Sequence, residues 1–232
     1  GAEVIRVLRH LVGENQFNLA VRKYLSDFDG KAATIEDWIA VFEEITSQSL
    51  QHFMPWYDEA GLLTLKVKHS DTQACVEQSH PSEKTFLLPL KYQWFCPSKG
   101  FSQVELHWLS SKEFILSKPT PQSFLLINHQ FTCPCQVLYD LSSFDRDKVI
   151  LSHDDELLVW QLMQDKWFEW IVKKEGQLNA YDGEFFHDLL AKHKANPSLL
   201  AALLTMPDFE EVVIKSPIGG VEFSARTGQL RY

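Results

Sequence analysis

The sequence is poor in the features that mark several large classes of protein. Four cysteines in 232 residues are too few for a disulfide framework, and no apolar run approaches the roughly 18 residues that a membrane-spanning helix needs. Lys and Arg number 22 against 31 Asp and Glu, so the clustered positive charge that grips nucleic-acid phosphates is missing. We therefore expect no membrane or nucleic-acid partner, and a reducing, cytoplasmic location.

The composition is that of a folded globular protein. Apolar residues make up 45% and charged residues 23% of the chain, and its length suits one large domain or two small ones. Helical periodicity begins directly after Gly1, without an initiator Met or a capping residue. We therefore expect the chain to be cut from within a larger protein.

Residues 1–61 have the periodicity of helices. Apolar residues between positions 4 and 12 fall on one helical stripe, and Gly13 is placed to end that helix. A second helix follows and closes near Gly30. Thr34 and Asp37 have the spacing of a helix start, and a short last helix ends at Gly61.

Residues 62–150 alternate with a period of two instead. After the alternation that starts at Leu62, strand candidates follow at 73–78, 85–96, 101–108, 112–117, 123–128 and 135–140. About seven short strands at this spacing predict an immunoglobulin-like β-sandwich domain. Pro89 lies inside one candidate, which predicts an edge position or a bulge there.

Helical periodicity returns after Ile150, and residues 151–232 are predicted to form a partial helical domain. Ser152 and Asp155 are interpreted as a cap pair within an acidic run, in preference to a metal site. Further helices are predicted over 182–194 and from Pro197. The tail, Ile214–Tyr232, shows no helical period. The predicted fold class is thus α+β with several domains.

Motifs that carry chemistry are missing from the sequence. There is no His-x-x-x-His pair, no Gly-x-Ser-x-Gly and no phosphate-binding glycine loop. Cys133 and Cys135 form a Cys-x-Cys, and the sequence has no second cysteine pair that could complete a metal site with it. We therefore expect both to pack as small apolar residues. We predict no catalytic and no metal-binding residue, and the substrate-binding residues are unknown. A site built from the scattered residues Glu105, His107 and His129 is left open.

Three stretches carry a family resemblance. Gly1–Arg6, together with Asp29–Thr34, resembles the zinc aminopeptidase N family, and most closely its bacterial alanyl aminopeptidase branch. His52–Tyr57 is similar to the family segment that leaves the catalytic domain for a β-sandwich. Pro197–Pro207 looks like part of the family's C-terminal helical domain, whereas the tail from Ile214 does not resemble the family.

The resemblance implies a three-part chain. Residues 1–61 would be the helical end of a thermolysin-like catalytic lobe, residues 62–150 the β-sandwich, and residues 151–232 the start of the helical domain. In the family the His-Glu-x-x-His helix, the third zinc ligand and the transition-state Tyr all precede the position of Gly1. The parent enzyme would remove N-terminal residues from peptides with a zinc-activated water. For this chain by itself we expect no zinc and no activity.

Two functions of different classes follow. The leading hypothesis is a non-catalytic portion of a zinc-dependent aminopeptidase, either as a fragment or as the product of a shortened or altered reading frame. The alternative is a catalytically dead, stand-alone module that binds a protein or peptide. In the leading case residues 1–60 would lack the packing partners of the missing lobe. We expect the exposed apolar patch to drive self-association or to be buried against the sandwich.

Overall fold

The computed structural model describes residues 1–140, 142–173, 180–208, 210 and 212. The chain divides into two compact units, Gly1–Asp140 and Leu141–Tyr232. The first unit contains four helices followed by eight strands, and the second contains helices. The predicted non-helical tail, from Ile214 onward, lies outside the described residues.

The first unit begins with helices whose ends are set by local sequence. Gly13 has a φ of 83°, which an L side chain rarely adopts, and it separates the first helix from the second. Thr34 caps the third helix in a capping box, because its hydroxyl accepts from the Asp37 N–H and the Asp37 carboxylate accepts from the Thr34 N–H. The helices are α1 (Ala2–Val12), α2 (Glu14–Asp27), α3 (Ile35–Thr46) and α4 (Pro55–Asp58), with one helical turn at Gln51–Phe53.

These helices share a hydrophobic core of their own. Val7 and Leu8 of α1, Ala20 of α2 and Phe42 of α3 are fully buried in it. Aromatic rings fill the space between α2 and α3, where Tyr24 packs edge-on against Trp38 with 4.9 Å between ring centroids. The predicted apolar stripe of α1 is therefore the buried face of that helix.

Eight strands form two four-stranded sheets. The strands are β1 (Thr64–His69), β2 (Gln73–Ser79), β3 (Leu88–Cys96), β4 (Gly100–Phe101), β5 (Glu105–Leu109), β6 (Glu113–Ser117), β7 (Phe124–Ile127) and β8 (Gln136–Tyr139). In the first sheet the order is β6-β2-β1-β8, with β8 parallel to β1 and the other neighbours antiparallel. In the second sheet β3 pairs with β4, β5 and β7.

One hydrophobic core is shared by the two sheets. Leu65 and Val76 come from the first sheet, and Leu90 and Ile127 from the second. Alternate residues of β1 and β2 are buried, as the period-two pattern predicts. Pro89 lies in β3 opposite Trp108 of β5, outside the stretch 92–95 that pairs with β7 on the other side. A proline fits there because the residue has no ladder bond to donate toward β7.

The helices of the first unit are fixed to its second sheet. Trp56, in α4, donates its Nε1–H to the Leu87 carbonyl at 2.8 Å, and its ring packs edge-on against Phe86. Arg6 of α1 donates to the Phe131 carbonyl and lies over the Phe131 ring. Residues 1–58 and the sheets therefore form one compact unit.

The second unit contains four helices in the described residues. They are α5 (Ser143–Ser152), α6 (Glu156–Lys173), α7 (Ala180–His193) and α8 (Pro197–Leu204). We expected helix only after Ile150, and α5 begins earlier because the Ser142 hydroxyl accepts from the Asp145 N–H and caps it. Within the part of the chain that the structure describes, no helix is both long enough and apolar enough to cross a membrane.

Candidate functional site

No metal site is assembled by the described residues. Among residues 1–140, 142–173, 180–208, 210 and 212, no three His, Cys, Asp or Glu side chains lie close enough together to hold an ion. A catalytic or structural zinc takes three or four such ligands. The described residues therefore do not fit the zinc ion that the family resemblance implies for the parent enzyme.

A histidine–aspartate pair joins the two sheets of the first unit. His69 Nδ1 lies 2.6 Å from Asp140 Oδ1, and the backbone N–H of Leu125 donates to His69 Nε2 at 3.0 Å. Since Nε2 accepts a bond, Nδ1 carries the proton and donates it to Asp140. In a catalytic His–Asp pair the second nitrogen must be available to a nucleophile. Here it is used by the backbone, so the pair clamps β1 to β7.

The scattered residues Glu105, His107 and His129 are not gathered into one site. Glu105 and His107 lie on β5, which pairs with one side of β3, whereas His129 follows β7 on the other side of β3. The His107 ring stacks flat on Phe114 with 3.8 Å between centroids, and burial lowers its pKa. A half-buried, stacked imidazole of this kind is a packing residue.

Glu105 has a structural partner of its own. The Tyr92 hydroxyl donates to Glu105 Oε2 at 2.8 Å across the β3–β5 ladder. Burial, with this bond to the carboxylate, raises the pKa of Tyr92 to about 12. The phenol therefore stays protonated at neutral pH and acts as a donor that fastens β5 to β3.

The acidic run before α6 is a helix cap, as we expected, although the capping residue differs from the predicted one. Ser152 ends α5, and its hydroxyl donates back to the Lys148 carbonyl. Asp155 is the cap, because its Oδ1 accepts from the N–H groups of Leu157 and Leu158 at 3.2 and 3.3 Å. His153 orients Asp155 by accepting its N–H at 2.9 Å.

A polar cavity of about 280 Å³ lies beside the β2–β3 connection. His80 accepts from the Ser82 N–H through Nδ1, and its ring approaches Gly61 so closely that a Cβ there would lie 2.9 Å from His80 Nε2. Lys84 forms an ion pair with Glu59, which also lowers the pKa of that carboxyl. Lys84 at this cavity is thus already paired within the protein. Its lining is Gln78, Ser79, His80, Glu83, Lys84, Thr85 and Lys112.

A second, smaller cavity of about 180 Å³ borders the β3–β4 turn. Cys96 faces the hydroxyl of Ser98 at 3.3 Å and that of Thr120 at 3.6 Å. These bonds, with the Ser98 N–H, lower the pKa of Cys96 to about 6. The thiol is therefore largely a thiolate at neutral pH, a reactivity that the sequence pattern does not signal.

Most of the polar side chains described above have structural partners within the chain. Helices and paired sheets hold polar groups that act as caps, clamps and ion pairs, and among the described residues no three His, Cys, Asp or Glu side chains could hold a metal ion. Comparison with known proteins identifies which architecture it resembles.

Sequence comparison relates the chain to aminopeptidases. It is 23% identical over 250 aligned residues to aminopeptidase N of Escherichia coli, which covers 91% of this chain and 28% of that protein. Over 61 residues it is 43% identical to aminopeptidase N of Haemophilus influenzae, covering 26% of this chain and 7% of that protein. No protein-family model matches. The predicted resemblance to the aminopeptidase N family is confirmed, and the similarity extends over part of the length of these aminopeptidases.

A solved aminopeptidase structure contains the same fold as this chain. Aminopeptidase A of Legionella pneumophila, solved in complex with aspartic acid, superimposes with a TM-score of 0.80 at 20% identity. The match covers 99% of this chain and 28% of that one. The chain therefore spans little more than a quarter of the length of these proteins, with mixed helix and sheet that follows the aminopeptidase architecture.

Proposed function

We propose that the chain is a non-catalytic portion of a zinc-dependent aminopeptidase. In this proposal residues 1–61 are the end of the catalytic lobe, residues 62–140 an immunoglobulin-like β-sandwich, and residues 141–232 the start of the helical domain. The predicted boundary at 150 is moved because α5 begins at Ser143. The observation that carries it is the similarity to aminopeptidase N along 91% of the chain and only 28% of the relative. Two sheets that share one core support the sandwich assignment.

The sandwich would act as a brace for the helices beside it. Trp56 and Arg6 each connect a helix to the second sheet through a side-chain bond to a backbone carbonyl. His69 adds a bond between the sheets themselves. Because carbonyl acceptors are fixed by the strands and by the loop at residue 131, these bonds define where the helices sit on the sheet. A rigid base of this kind suits the support of an adjoining catalytic site.

The chemistry of the parent would lie in residues that this chain does not supply. The parent would cleave the first peptide bond of its substrates with zinc-activated water, acting on peptides in the cytoplasm. Four free cysteines, at least three of them buried, support a reducing location. The described residues contribute positioning and support, and no step of hydrolysis is assigned to them.

An activity and metal assay tests the proposal. The purified 232-residue chain is incubated with alanyl-4-nitroanilide, with and without added zinc, beside aminopeptidase N of Escherichia coli as the positive control. We expect no release of nitroaniline above the protein-free rate, and far less than one zinc per chain after dialysis. Hydrolysis that coelutes with the chain in gel filtration, or one tightly held zinc, would contradict the non-catalytic assignment.

Self-association through residues 1–60 is part of the proposal. Leu19 and Leu25 of α2 are 55% and 63% exposed, and Ile35 at the start of α3 is 45% exposed. Burying such side chains yields roughly 25 cal/mol per Å² of apolar area. We expect a concentration-dependent dimer in analytical ultracentrifugation that the variant Leu19→Gln/Leu25→Gln weakens. A monomer at all concentrations, with negligible binding of an apolar dye, would rule this out.

A further inference from the structure

The loop between β7 and β8 holds two cysteines in a fixed arrangement. Asn128 is buried with a φ of 62°, and its Nδ2 donates to the Cys133 carbonyl at 3.0 Å. Asn128 Oδ1 accepts from the Cys133 N–H at 2.9 Å, and Nδ2 lies 3.5 Å from Cys135 Sγ. A single amide therefore fixes the backbone of one cysteine and the sulfur of the other.

The backbone between the cysteines forms a tight turn. The Cys135 N–H donates to the Cys133 carbonyl at 3.0 Å, which closes a three-residue turn around Pro134. The proline ring fixes φ at its position, so the turn is stiff. Such a turn holds its first and third residues close together, and burial and the neighbouring Cys135 side chain both raise the pKa of the Cys133 thiol. The two sulfurs are therefore neighbours.

We propose that Cys133 and Cys135 form a reversible dithiol–disulfide site whose oxidant is a small-molecule disulfide of the glutathione type. Cys135 sulfur attacks one sulfur of the oxidant, and one glutathione thiol leaves. Cys133 sulfur then attacks Cys135 sulfur, which forms the intramolecular S–S bond and releases the second glutathione thiol. The two protons of the protein thiols end on the two glutathione thiols, and the protein is oxidised by two electrons.

The burial of the two residues determines their roles. Both residues are buried, but Cys133 is 0% exposed and Cys135 6%, and burial raises the pKa of the Cys133 thiol. The less deeply buried Cys135 makes the first attack, and Cys133 resolves the mixed disulfide. Because thiolates are the attacking species, oxidation should accelerate as pH rises. Only one intervening residue separates the cysteines, so the small ring is strained and is readily reduced again.

Peptide mapping measures this site separately from the other thiols. The folded chain is equilibrated in glutathione buffers of increasing oxidised fraction, quenched with acid, unfolded and alkylated with iodoacetamide. Trypsin does not cut before Pro119, so residues 113–146 form one peptide whose only cysteines are Cys133 and Cys135. We expect this peptide to lose both labels and two hydrogen masses as the buffer becomes oxidising, and to regain both labels after reduction by dithiothreitol.

Cysteine-to-serine variants test whether the disulfide needs both Cys133 and Cys135. Cys133→Ser and Cys135→Ser each leave one thiol and should give no intramolecular disulfide, while Cys75→Ser/Cys96→Ser should leave the behaviour of the 113–146 peptide unchanged. Cooperative unfolding of the oxidised protein, followed by tryptophan fluorescence, shows that the bond forms in the folded state. The proposal is overturned if both labels persist in fully oxidising buffer, if only glutathione adducts form, or if the bond appears only in denaturant.

Discussion

The substitution Lys166→Met should unfold the second unit far more easily, because it breaks a buried ion pair. The ammonium of Lys166 lies 2.7 and 2.8 Å from the two carboxylate oxygens of Asp147, and the two side chains are 3% and 1% exposed. The rings of Trp170 and Phe185 lie 4.5 and 4.3 Å from the same ammonium. Removing the cation leaves a carboxylate buried in low dielectric, which costs about 3–5 kcal/mol of unfolding free energy.

The assay is equilibrium unfolding in urea, followed by tryptophan fluorescence and circular dichroism. The chain has two compact units, so the transitions are fitted separately wherever the two signals do not coincide. The control is Lys166→Met/Asp147→Leu, which removes both charges and keeps the volume apolar. We expect this double variant to be within about 1 kcal/mol of the original, or more stable. If the double variant loses as much unfolding free energy as Lys166→Met, then the packing of the lysine side chain, and not its charge, stabilises the unit.

Three further predictions concern a cap, a thiol and two histidines. Thr34→Ala should lower the unfolding free energy of the first unit by about 1 kcal/mol, whereas Thr34→Ser should leave it unchanged. An equal loss of unfolding free energy in both variants would contradict the capping role of Thr34. The alkylation rate of Cys96 should be half-maximal near pH 6, and Ser98→Ala should move that midpoint upward; an unmoved midpoint would refute the hydroxyl's contribution. Burial lowers the pKa of His107 and His193 from 6.5, so the unfolded chain binds more protons below that value. The unfolding free energy should therefore be steady above pH 6.5 and fall on acidification below it, and the fall should be smaller in His193→Phe. An unfolding midpoint that is the same at about pH 7.5 and 5.5 would contradict this prediction.

Much of the first unit could be predicted because its signals are local. Gly13 ends α1, and Thr34 with Asp37 starts α3, within one turn of the residues that show the pattern. The alternation along β1 and β2 is equally local, since the period alone determines which face is buried. The resemblance to the aminopeptidase N family likewise rests on short stretches, most of them in or beside the helices of the first unit.

The junction before α6 was harder to predict because two residues there could serve as the cap. Ser152 and Asp155 both have side chains that accept from a helix start, and local spacing does not choose between them. The choice depends on tertiary structure, since His153 is buried and its ring holds the Asp155 N–H. The early start of α5 was missed for a related reason, because its first turn is polar and gives no apolar period.

Pairs that are distant in sequence could not be predicted at all. His69 and Asp140 are 71 residues apart, and Lys166 and Asp147 are 19 apart on different helices. No spacing rule connects them, because the contact is created by strand order and helix packing. For the same reason the sequence suggested Glu105, His107 and His129 as a possible group, although β3 separates the strands concerned.

The contrast between His69 and a catalytic histidine shows why residue chemistry alone does not identify an active site. Both have a carboxylate on Nδ1, and they differ only in what the other nitrogen meets. In this chain Leu125 supplies a backbone N–H, so Nε2 is an acceptor and no proton can be taken from a substrate. The same rule applies to Tyr92, whose donor capacity is used by Glu105. Reactive residue types are therefore present in this chain, and the fold uses them to join its strands.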